Sequence, residues 1–228
     1  MGKAFPFQTL ICASWYLRVL VSGTADTDWF LERAKQVVEE FDRELKQAGG
    51  GFEDASSIVD IGCGCGRLSR WVLNYNENFF GVDINPKLLR WSRNNLRGEW
   101  ALCKLKKSMP YPDRKFDLAY ACSVITHLRE DTAREWLADV SRILQFGGRF
   151  LLTFHDEKHP NSASIKADLE TGYAVRFDSL EGSNHLAAFC TIEKLEEMMP
   201  GDMRLVRYTP SDRSDCLQAI SIWEKVSP

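Results

Sequence analysis

The 228-residue sequence lacks the cysteine patterns of disulfide frameworks and zinc sites. Its seven cysteines are odd in number and scattered. The one close pair, Cys63 and Cys65, has C-x-C spacing, whereas zinc and redox sites use C-x-x-C. No cluster of adequate metal ligands is visible, so no metal site is predicted. The free cysteines indicate a reducing compartment.

Long apolar segments are also lacking. The stretch from Leu10 to Val21 is shorter than the roughly 20 residues that cross a bilayer, and it contains Arg18. No convincing small-residue cleavage site follows the N-terminal Met-Gly-Lys, and Pro6 removes the myristoylation pattern that Gly2 could begin. We therefore expect a cytoplasmic protein with no membrane partner.

Neither sign of charge dominates the chain, whose net charge is −3 with 27% charged residues. This balance demands no polyelectrolyte partner. One helix face and the segment after it form a basic stripe, which either tracks phosphates or is a solvated surface. The overall acidic balance favours the solvated surface, so nucleic acid is an improbable partner. The stripe consists of Arg90, Arg93, Arg97, Lys104, Lys106 and Lys107.

The most informative segment is Ile58 to Gly66, which reads Ile-Val-Asp-Ile-Gly-Cys-Gly-Cys-Gly. A β-branched run followed by alternating glycines predicts a buried strand and a loop whose backbone approaches a ligand closely, before a helix N-terminus. A second apolar strand ends at Asp83. Asp83 follows the first glycine by about twenty residues, which is the spacing expected for a carboxylate that accepts ribose hydroxyls beside a glycine loop. Together these features predict a nucleoside-bearing cofactor.

The glycine spacing distinguishes between such cofactors. A dinucleotide fingerprint, Gly-x-Gly-x-x-Gly, would place its third glycine at Arg67, but the third glycine here is Gly66. The run from Val59 to Arg67 instead resembles motif I of the class I S-adenosylmethionine-dependent methyltransferases. Met109–Asp113 and Arg142–Gly148 resemble the family's segments before its fourth and fifth strands. The resemblance covers residues 50 to 155 well and the C-terminal strands loosely.

Strands and helices alternate from Ile58 onward, which favours an α/β protein with a parallel sheet covered on both faces. We expect a doubly wound, Rossmann-like, mostly parallel sheet with a C-terminal antiparallel hairpin, the class I methyltransferase fold. Residues 1–50 are predicted to form an N-terminal helical flap, and 51–228 a cofactor-binding domain with a lid insertion at 161–190. The predicted strands are 58–61, 79–82, 100–105, 116–122, 149–154, 203–208 and 219–223. One helix is predicted to be capped by Asp28 and to end at Gly49-Gly50-Gly51. The other predicted helices are 67–73, 86–96, 133–144, which Gly147-Gly148 would stop, and 191–199.

The resemblance implies S-adenosyl-L-methionine as the cofactor. Asp60 resembles the acidic residue that serves the methionine amino group directly or through water. After strand three the family often has an aspartate for the adenine amino group. Here the matching stretch is Lys104-Leu105-Lys106, so we expect backbone and apolar contacts to hold adenine. The expected cofactor-binding residues are Asp60, Gly62, Cys63, Gly64, Gly66, Asp83, Ile84, Lys104, Leu105 and Ser123.

Methyl transfer from a sulfonium is an in-line displacement, which needs alignment and, for a protonated nucleophile, a base. His127 is the candidate base, because it follows strand four where loops face the crevice; the alternative is that it begins the next helix. Tyr16, His155 and His185 are expected to contact the acceptor. Tyr16 belongs with Arg18, Trp29 and Phe30 to a segment that forms either an aromatic flap, with Arg18 meeting a carboxylate, or a packed N-terminal helix.

The predicted function is methyl transfer to a small-molecule or glycan-type hydroxyl or amine. The chain lacks the Asn/Asp-Pro-Pro-Tyr motif of amino-base methylation and the Pro-Cys nucleophile of pyrimidine methylation. An RNA methyltransferase stays as an alternative, as does a cofactor-binding regulatory protein of the same fold without turnover. A nicotinamide dehydrogenase is disfavoured by Arg67.

Overall fold

The computed structural model describes residues 12–165 and 168–227. Residues 1–11, where the predicted flap and the apolar stretch begin, and residues 166–167 of the predicted lid lie outside this range. The helices are α1 (Trp15–Ser22), α2 (Thr27–Gln47), α3 (Ser69–Val72), α4 (Pro86–Asn95), α5 (Glu130–Ile143) and α6 (Ile192–Met198). The strands are β1 (Ile58–Ile61), β2 (Phe79–Asp83), β3 (Glu99–Leu102), β4 (Phe116–Ala121), β5 (Leu144–Phe154), β6 (Tyr173–Arg176), β7 (Ala187–Cys190), β8 (Met203–Thr209) and β9 (Ala219–Lys225).

Seven strands form one sheet in the order β3-β2-β1-β4-β5-β9-β8. Strands β1 to β5 pair in parallel, and β9 is antiparallel to both of its neighbours, β5 and β8. The order reverses at β1, so the carboxyl ends of β1, β2 and β4 open a crevice at a topological switch point. The prediction of a doubly wound, mostly parallel sheet with a C-terminal antiparallel hairpin is confirmed.

Strand β1 is buried along its whole length and divides the core into two layers. Val59 and Ile61 belong to the cluster that contains Trp136 of α5. Ile58 belongs to the cluster on the other face, which contains Phe41 of α2. Because side chains alternate along a strand, one short segment packs against helices on both faces and fixes the floor of the crevice.

The boundary between α5 and β5 differs from the prediction. The sequence predicts that Gly147 and Gly148 stop the helix, and this is wrong, because the helix already ends at Ile143. The two glycines lie inside β5, where the pairing with β4 shifts register between Phe116 and Leu118. Gly147 has φ 77°, a conformation in which a glycine costs little at such a bulge.

Three other predicted boundaries are also corrected. The helix after the glycine loop is limited to α3, and β3 ends at Leu102, so Lys104 and Leu105 lie in the turn beyond it. The N-cap of α2 is Asp26, whose carboxylate accepts the Trp29 amide at 2.9 Å. Asp28, the predicted cap, lies in the first turn of the helix.

The segment predicted to be a lid has structure of its own. Within it β6 pairs with β7 as a separate antiparallel ribbon. The ribbon lies against the turn after β4, where the Tyr173 hydroxyl donates to the Leu128 carbonyl at 2.9 Å. The Asn184 side chain donates to the Leu20 carbonyl and so joins this segment to α1. The division into flap, domain and lid stays a prediction.

The aromatic residues of the N-terminal segment differ in burial, and whether they form a flap stays a prediction. Phe30 is fully buried in the core, while Tyr16 and Trp29 are 44% and 46% exposed. Arg18 donates to the carbonyls of Ala13 and Ala25 and not to a carboxylate. No helix of the described residues is long and apolar enough to cross a membrane.

The packing of β2 yields a prediction about Gly81. A Cβ at this position would lie 2.5 Å from the Trp100 ring and 3.0 Å from Cys63 Sγ. Gly81→Ala should therefore lower the free energy of unfolding by about 1–3 kcal/mol, the usual cost of overpacking a core. The measurement is urea-induced unfolding. Gly201→Ala is the matched control, since nothing lies within 4 Å of its added Cβ. Equal stability of the two variants would contradict the packing described here.

Candidate cofactor and acceptor site

The loop after β1 has the backbone that its three alternating glycines predict. Gly62, Gly64 and Gly66 have φ values of 72°, 56° and 68°, which L side chains rarely adopt. At Gly62 the space is closed as well, because a Cβ would lie 2.5 Å from Val124 Cγ2. The Gly62 amide donates to the Val82 carbonyl at 2.8 Å, so the loop is fastened to β2 as it leaves β1.

Asp83, at the end of β2, is bonded directly to this loop. Its Oδ2 accepts the Gly64 amide at 2.7 Å, and its Oδ1 accepts the Asn85 amide at 2.7 Å. The side chain is buried, and burial raises its pKa. Each carboxylate oxygen can accept a second hydrogen bond, so Asp83 keeps capacity for the two hydroxyls of a ribose.

Asp60 lies below the loop. Its Oδ2 accepts hydrogen bonds from Ser69 Oγ at 2.6 Å and from the Tyr120 hydroxyl at 2.8 Å. Burial raises the pKa of Asp60 to about 7, and the two hydrogen bonds oppose this shift in part. These contacts tie β1 to α3 and β4. A role of Asp60 toward the methionine amino group stays a prediction.

The expected adenine side of the crevice is apolar. A Cβ on Gly182 would lie 3.2 Å from Ile84 Cδ1 and 3.4 Å from Leu105 Cδ2, so the lid segment approaches both side chains. Lys104 is exposed. The Cys63 side chain is buried beside Gly81, and burial raises the pKa of its thiol well above the usual range. Cys63 thus supplies no reactive thiolate to the crevice, and its role toward a cofactor stays a prediction.

The turn after β4 is held by a polar network that includes Ser123. Ser123 has φ 60°, an unfavourable conformation for a non-glycine residue and one that often accompanies a functional site. Its amide donates to Thr153 Oγ1 at 2.8 Å, and its hydroxyl accepts Gln218 Nε2 at 2.9 Å. Sequence reasoning missed Thr153 and Gln218. Gln218 carries no local signal, because only the insertion of β9 beside β5 brings it to this edge.

His127 lies in a single 3₁₀ turn, Ile125–His127, after β4. Its Nδ1 is 2.7 Å from the Leu186 carbonyl oxygen. A carbonyl only accepts, so Nδ1 carries the proton and Nε2 has the free lone pair of a base. Burial lowers the pKa of His127 below its usual value, which favours this neutral form.

His155 follows β5 and lies near the same edge. Its Nε2 is 3.3 Å from Gln218 Nε2, and its ring centroid is 4.1 Å from that of His159. Burial first, then His159 and His127, lower the pKa of His155 to about 3. His155 is therefore a neutral ring in this cluster and not a cation.

The two remaining residues predicted to contact the acceptor stand apart from this cluster. Tyr16 is half-exposed on α1 and packs edge-on against Trp15. His185 is exposed, and its amide donates to Ser183 Oγ. Neither makes a hydrogen bond or ring contact with His127 or His155. Their roles toward an acceptor stay predictions.

The residues present fit an adenosine group. The glycine loop supplies a backbone in a left-handed conformation, Asp83 supplies a carboxylate, and Ile84 and Leu105 supply apolar walls. Helix α1 covers part of the loop, because Val21 Cγ2 lies 3.1 Å from where a Cβ on Gly64 would stand. No three His, Cys, Asp or Glu side chains of the described residues are grouped so that they could hold a metal ion.

Comparison with known proteins places this geometry in context. Residues 59–152 match the family model described as a methyltransferase domain. The chain is 29% identical over 107 residues to demethylmenaquinone methyltransferase of Tropheryma whipplei (strain Twist), and the matched segment covers 45% of this chain and 43% of that protein. It is 28% identical over 123 residues to a probable chloroplastic tocopherol O-methyltransferase of Oryza sativa subsp. japonica, which covers 49% of this chain and 33% of that protein.

Among solved structures, an S-adenosylmethionine-dependent methyltransferase from Methanosarcina mazei superposes with a TM-score of 0.57. It shares 18% sequence identity and covers 77% of this chain and 94% of its own, and at this identity the likeness shows the fold alone. The matched stretches span less than half the length of the two curated relatives.

The contacts of Asp83 lead to a binding prediction. Asp83→Ala should weaken affinity for S-adenosylmethionine by about 1.5–3 kcal/mol, because it removes a charged acceptor and frees the Gly64 amide. Isothermal titration calorimetry measures the change. Asp131→Ala in the first turn of α5 is the control. An unchanged dissociation constant for Asp83→Ala would remove this residue from the ribose site.

Proposed function

We propose that this chain, whose residues 59–152 form a class I S-adenosylmethionine-dependent methyltransferase domain, methylates a hydroxyl or amine of a small-molecule or glycan-type acceptor. The observation that carries the proposal is the state of His127. Its Nδ1 proton is committed to the Leu186 carbonyl, so Nε2 is a neutral proton acceptor at the carboxyl edge of β4.

S-adenosylmethionine is the cofactor of this domain, and when bound it supplies an electrophilic methyl group on a sulfonium. In the proposed arrangement the backbone of residues 62–66 and the Asp83 carboxylate hold its adenosine part. Ile84 and Leu105 contact the adenine, and Ser123 lies at the turn between the cofactor and the acceptor. The protein mainly aligns the two reactants, which is the larger part of catalysis for a direct displacement.

His127 performs the proton transfer in this proposal. An acceptor hydroxyl must lose its proton as its oxygen attacks the methyl group, and an ammonium must lose one before its nitrogen has a lone pair to attack with; Nε2 of His127 takes that proton. A neutral imidazole can do so without prior deprotonation, and burial keeps His127 neutral.

The surroundings of His127 support an uncharged acceptor group. Ser123, Gln218 and His155 offer hydroxyl, amide and neutral imidazole groups near this edge. These groups recognise hydroxyls by hydrogen bonding, and they provide no cation to pair with a phosphate. Both curated relatives reported above carry names that specify small-molecule acceptors, tocopherol and demethylmenaquinone, which favours a small acceptor here.

The contacts that the basic stripe makes within the chain weaken the RNA alternative. Arg93 donates to the Trp100 carbonyl at 2.8 Å, and Arg97 pairs with Glu77. Lys106 Nζ lies 3.5 Å from Asp131. Half of the six side chains of the stripe are therefore engaged within the chain and are less available to phosphates.

A two-stage experiment tests the proposal. Calorimetric titration with S-adenosylmethionine and with NAD first establishes which cofactor binds. Release of S-adenosylhomocysteine is then measured with hydroxyl acceptors, amine acceptors and a transfer RNA. Turnover on a hydroxyl or amine supports the proposal, turnover on RNA alone replaces it with the RNA alternative, and binding without turnover on any acceptor supports a regulatory protein.

His127→Ala is expected to lower turnover by about a hundredfold or more, the usual contribution of a positioned base. Affinity for S-adenosylmethionine should stay nearly the same, because the base faces the acceptor. Steady-state kinetics and calorimetry measure the two quantities. Glu196→Ala is the control, since Glu196 is an exposed side chain on α6, outside both the candidate site and the lid segment. Parental turnover in His127→Ala would make this residue structural.

The pH dependence of the parent enzyme provides a separate prediction. Only the neutral imidazole accepts a proton, so kcat/KM should rise with pH as His127 loses its proton. Burial lowers the pKa of His127 from 6.5, which places this rise below pH 6.5. The profile is measured from pH 5 to 9, and a midpoint above 7 would contradict the buried, neutral state of this ring.

A further inference from the structure

The lid segment makes a direct contact with the ring of His127. The carbonyl of Leu186, the last residue before β7, lies 2.7 Å from Nδ1. Without a partner a neutral imidazole populates both tautomers, and the hydrogen bond that one nitrogen makes decides where the proton sits. The main chain of the lid segment therefore selects which nitrogen of His127 is the base.

The same short stretch also holds the main chain around His127. The Gly182 amide donates to the His127 carbonyl at 2.9 Å. Next to it, Glu181 Oε1 accepts the Arg129 amide at 2.9 Å, and the largely buried Glu181 carboxylate lies 3.9 Å from Arg129 Nε. Residues 181–186, which we term the clamp loop, thus contact the His127 side chain, the His127 carbonyl and the amide of Arg129 just after it.

A third attachment comes from β6, the strand of the ribbon that precedes the clamp loop. The Tyr173 hydroxyl is 2.9 Å from the Leu128 carbonyl and 3.3 Å from the Ile125 carbonyl, so it lies against both ends of the 3₁₀ turn. Tyr173 is buried on β6, and its ring needs no hydroxyl to stay packed. The turn that carries His127 is consequently held from two sides by one insertion.

We propose that Glu181 is a positioning residue: by anchoring the clamp loop to Arg129, it keeps His127 in the Nδ1-protonated tautomer with Nε2 directed to the acceptor. The consequence for turnover rests on the proposed function, because it assumes that His127 is the base. The tautomer itself does not depend on that assumption and can be measured without an acceptor.

The test uses the full chain labelled with ¹⁵N-histidine. Long-range ¹H–¹⁵N spectra distinguish a protonated from an unprotonated ring nitrogen, and His127→Ala identifies the signals. The parent should show Nδ1 protonated and Nε2 unprotonated. Glu181→Ala should shift His127 to a mixture of tautomers. It should lower kcat by about tenfold or more, within the range that orienting partners of a functional histidine contribute, and leave cofactor affinity unchanged.

Three further variants complete the test, two of them as controls and the third as a second way to weaken the turn that carries His127. Glu181→Gln keeps an oxygen that can accept the Arg129 amide, so it should restore the parental tautomer and most of kcat. Glu196→Ala on α6 removes an exposed glutamate outside the clamp loop and should change neither quantity. Tyr173→Phe removes only the hydroxyl of the third attachment, and it should move the tautomer in the same direction as Glu181→Ala.

Thermal unfolding first establishes that each variant is folded. If folded Glu181→Ala retains the parental tautomer, the positioning role of Glu181 is overturned, whatever Tyr173→Phe shows. A changed tautomer with parental kcat would confirm that Glu181 selects the tautomer and would refute the assignment of His127 as the base. Parental turnover in His127→Ala would also refute the base assignment, and the tautomer spectra would still report separately on whether the clamp loop selects the protonated nitrogen.

Discussion

The geometry of the crevice depends on how the glycine loop after β1 is bonded to β2. Asp83 accepts the Gly64 amide, and the Val82 carbonyl accepts the Gly62 amide. Asp60 accepts Ser69 and Tyr120 below the loop and so joins β1 to α3 and β4. A loop of three left-handed glycines has many conformations available when it is free. The hydrogen bonds to β2 restrict these conformations, so the loop backbone is prepared before any cofactor binds.

The part of the crevice that is proposed to face the acceptor, called here the acceptor side, is organised differently, by elements distant in sequence. Ser123 and His127 follow β4, Gln218 precedes β9, and Leu186 precedes β7. Each is brought to the same edge by strand order: β9 inserts beside β5, and the β6–β7 ribbon folds back on the turn after β4. The cofactor side thus uses local sequence, whereas the acceptor side uses tertiary contacts, which is consistent with a common fold that serves different acceptors.

The likenesses to known proteins follow the same division. The family model matches residues 59–152, which contain the glycine loop and most of strands β1 to β5. The clamp loop, the ribbon and Gln218 lie outside the matched residues 59–152.

The sequence by itself determined the sheet, the glycine loop and the place of Asp83. Strand burial, left-handed glycines and a carboxylate at a fixed spacing are all local patterns. It did not determine the end of α5, because Gly147 and Gly148 lie inside β5, where the pairing with β4 shifts register. Nor did it determine the partners of Asp60 or the tautomer of His127. Those depend on the Tyr120 hydroxyl and the Leu186 carbonyl, which lie 60 and 59 residues away in the chain and meet their partners only through tertiary packing.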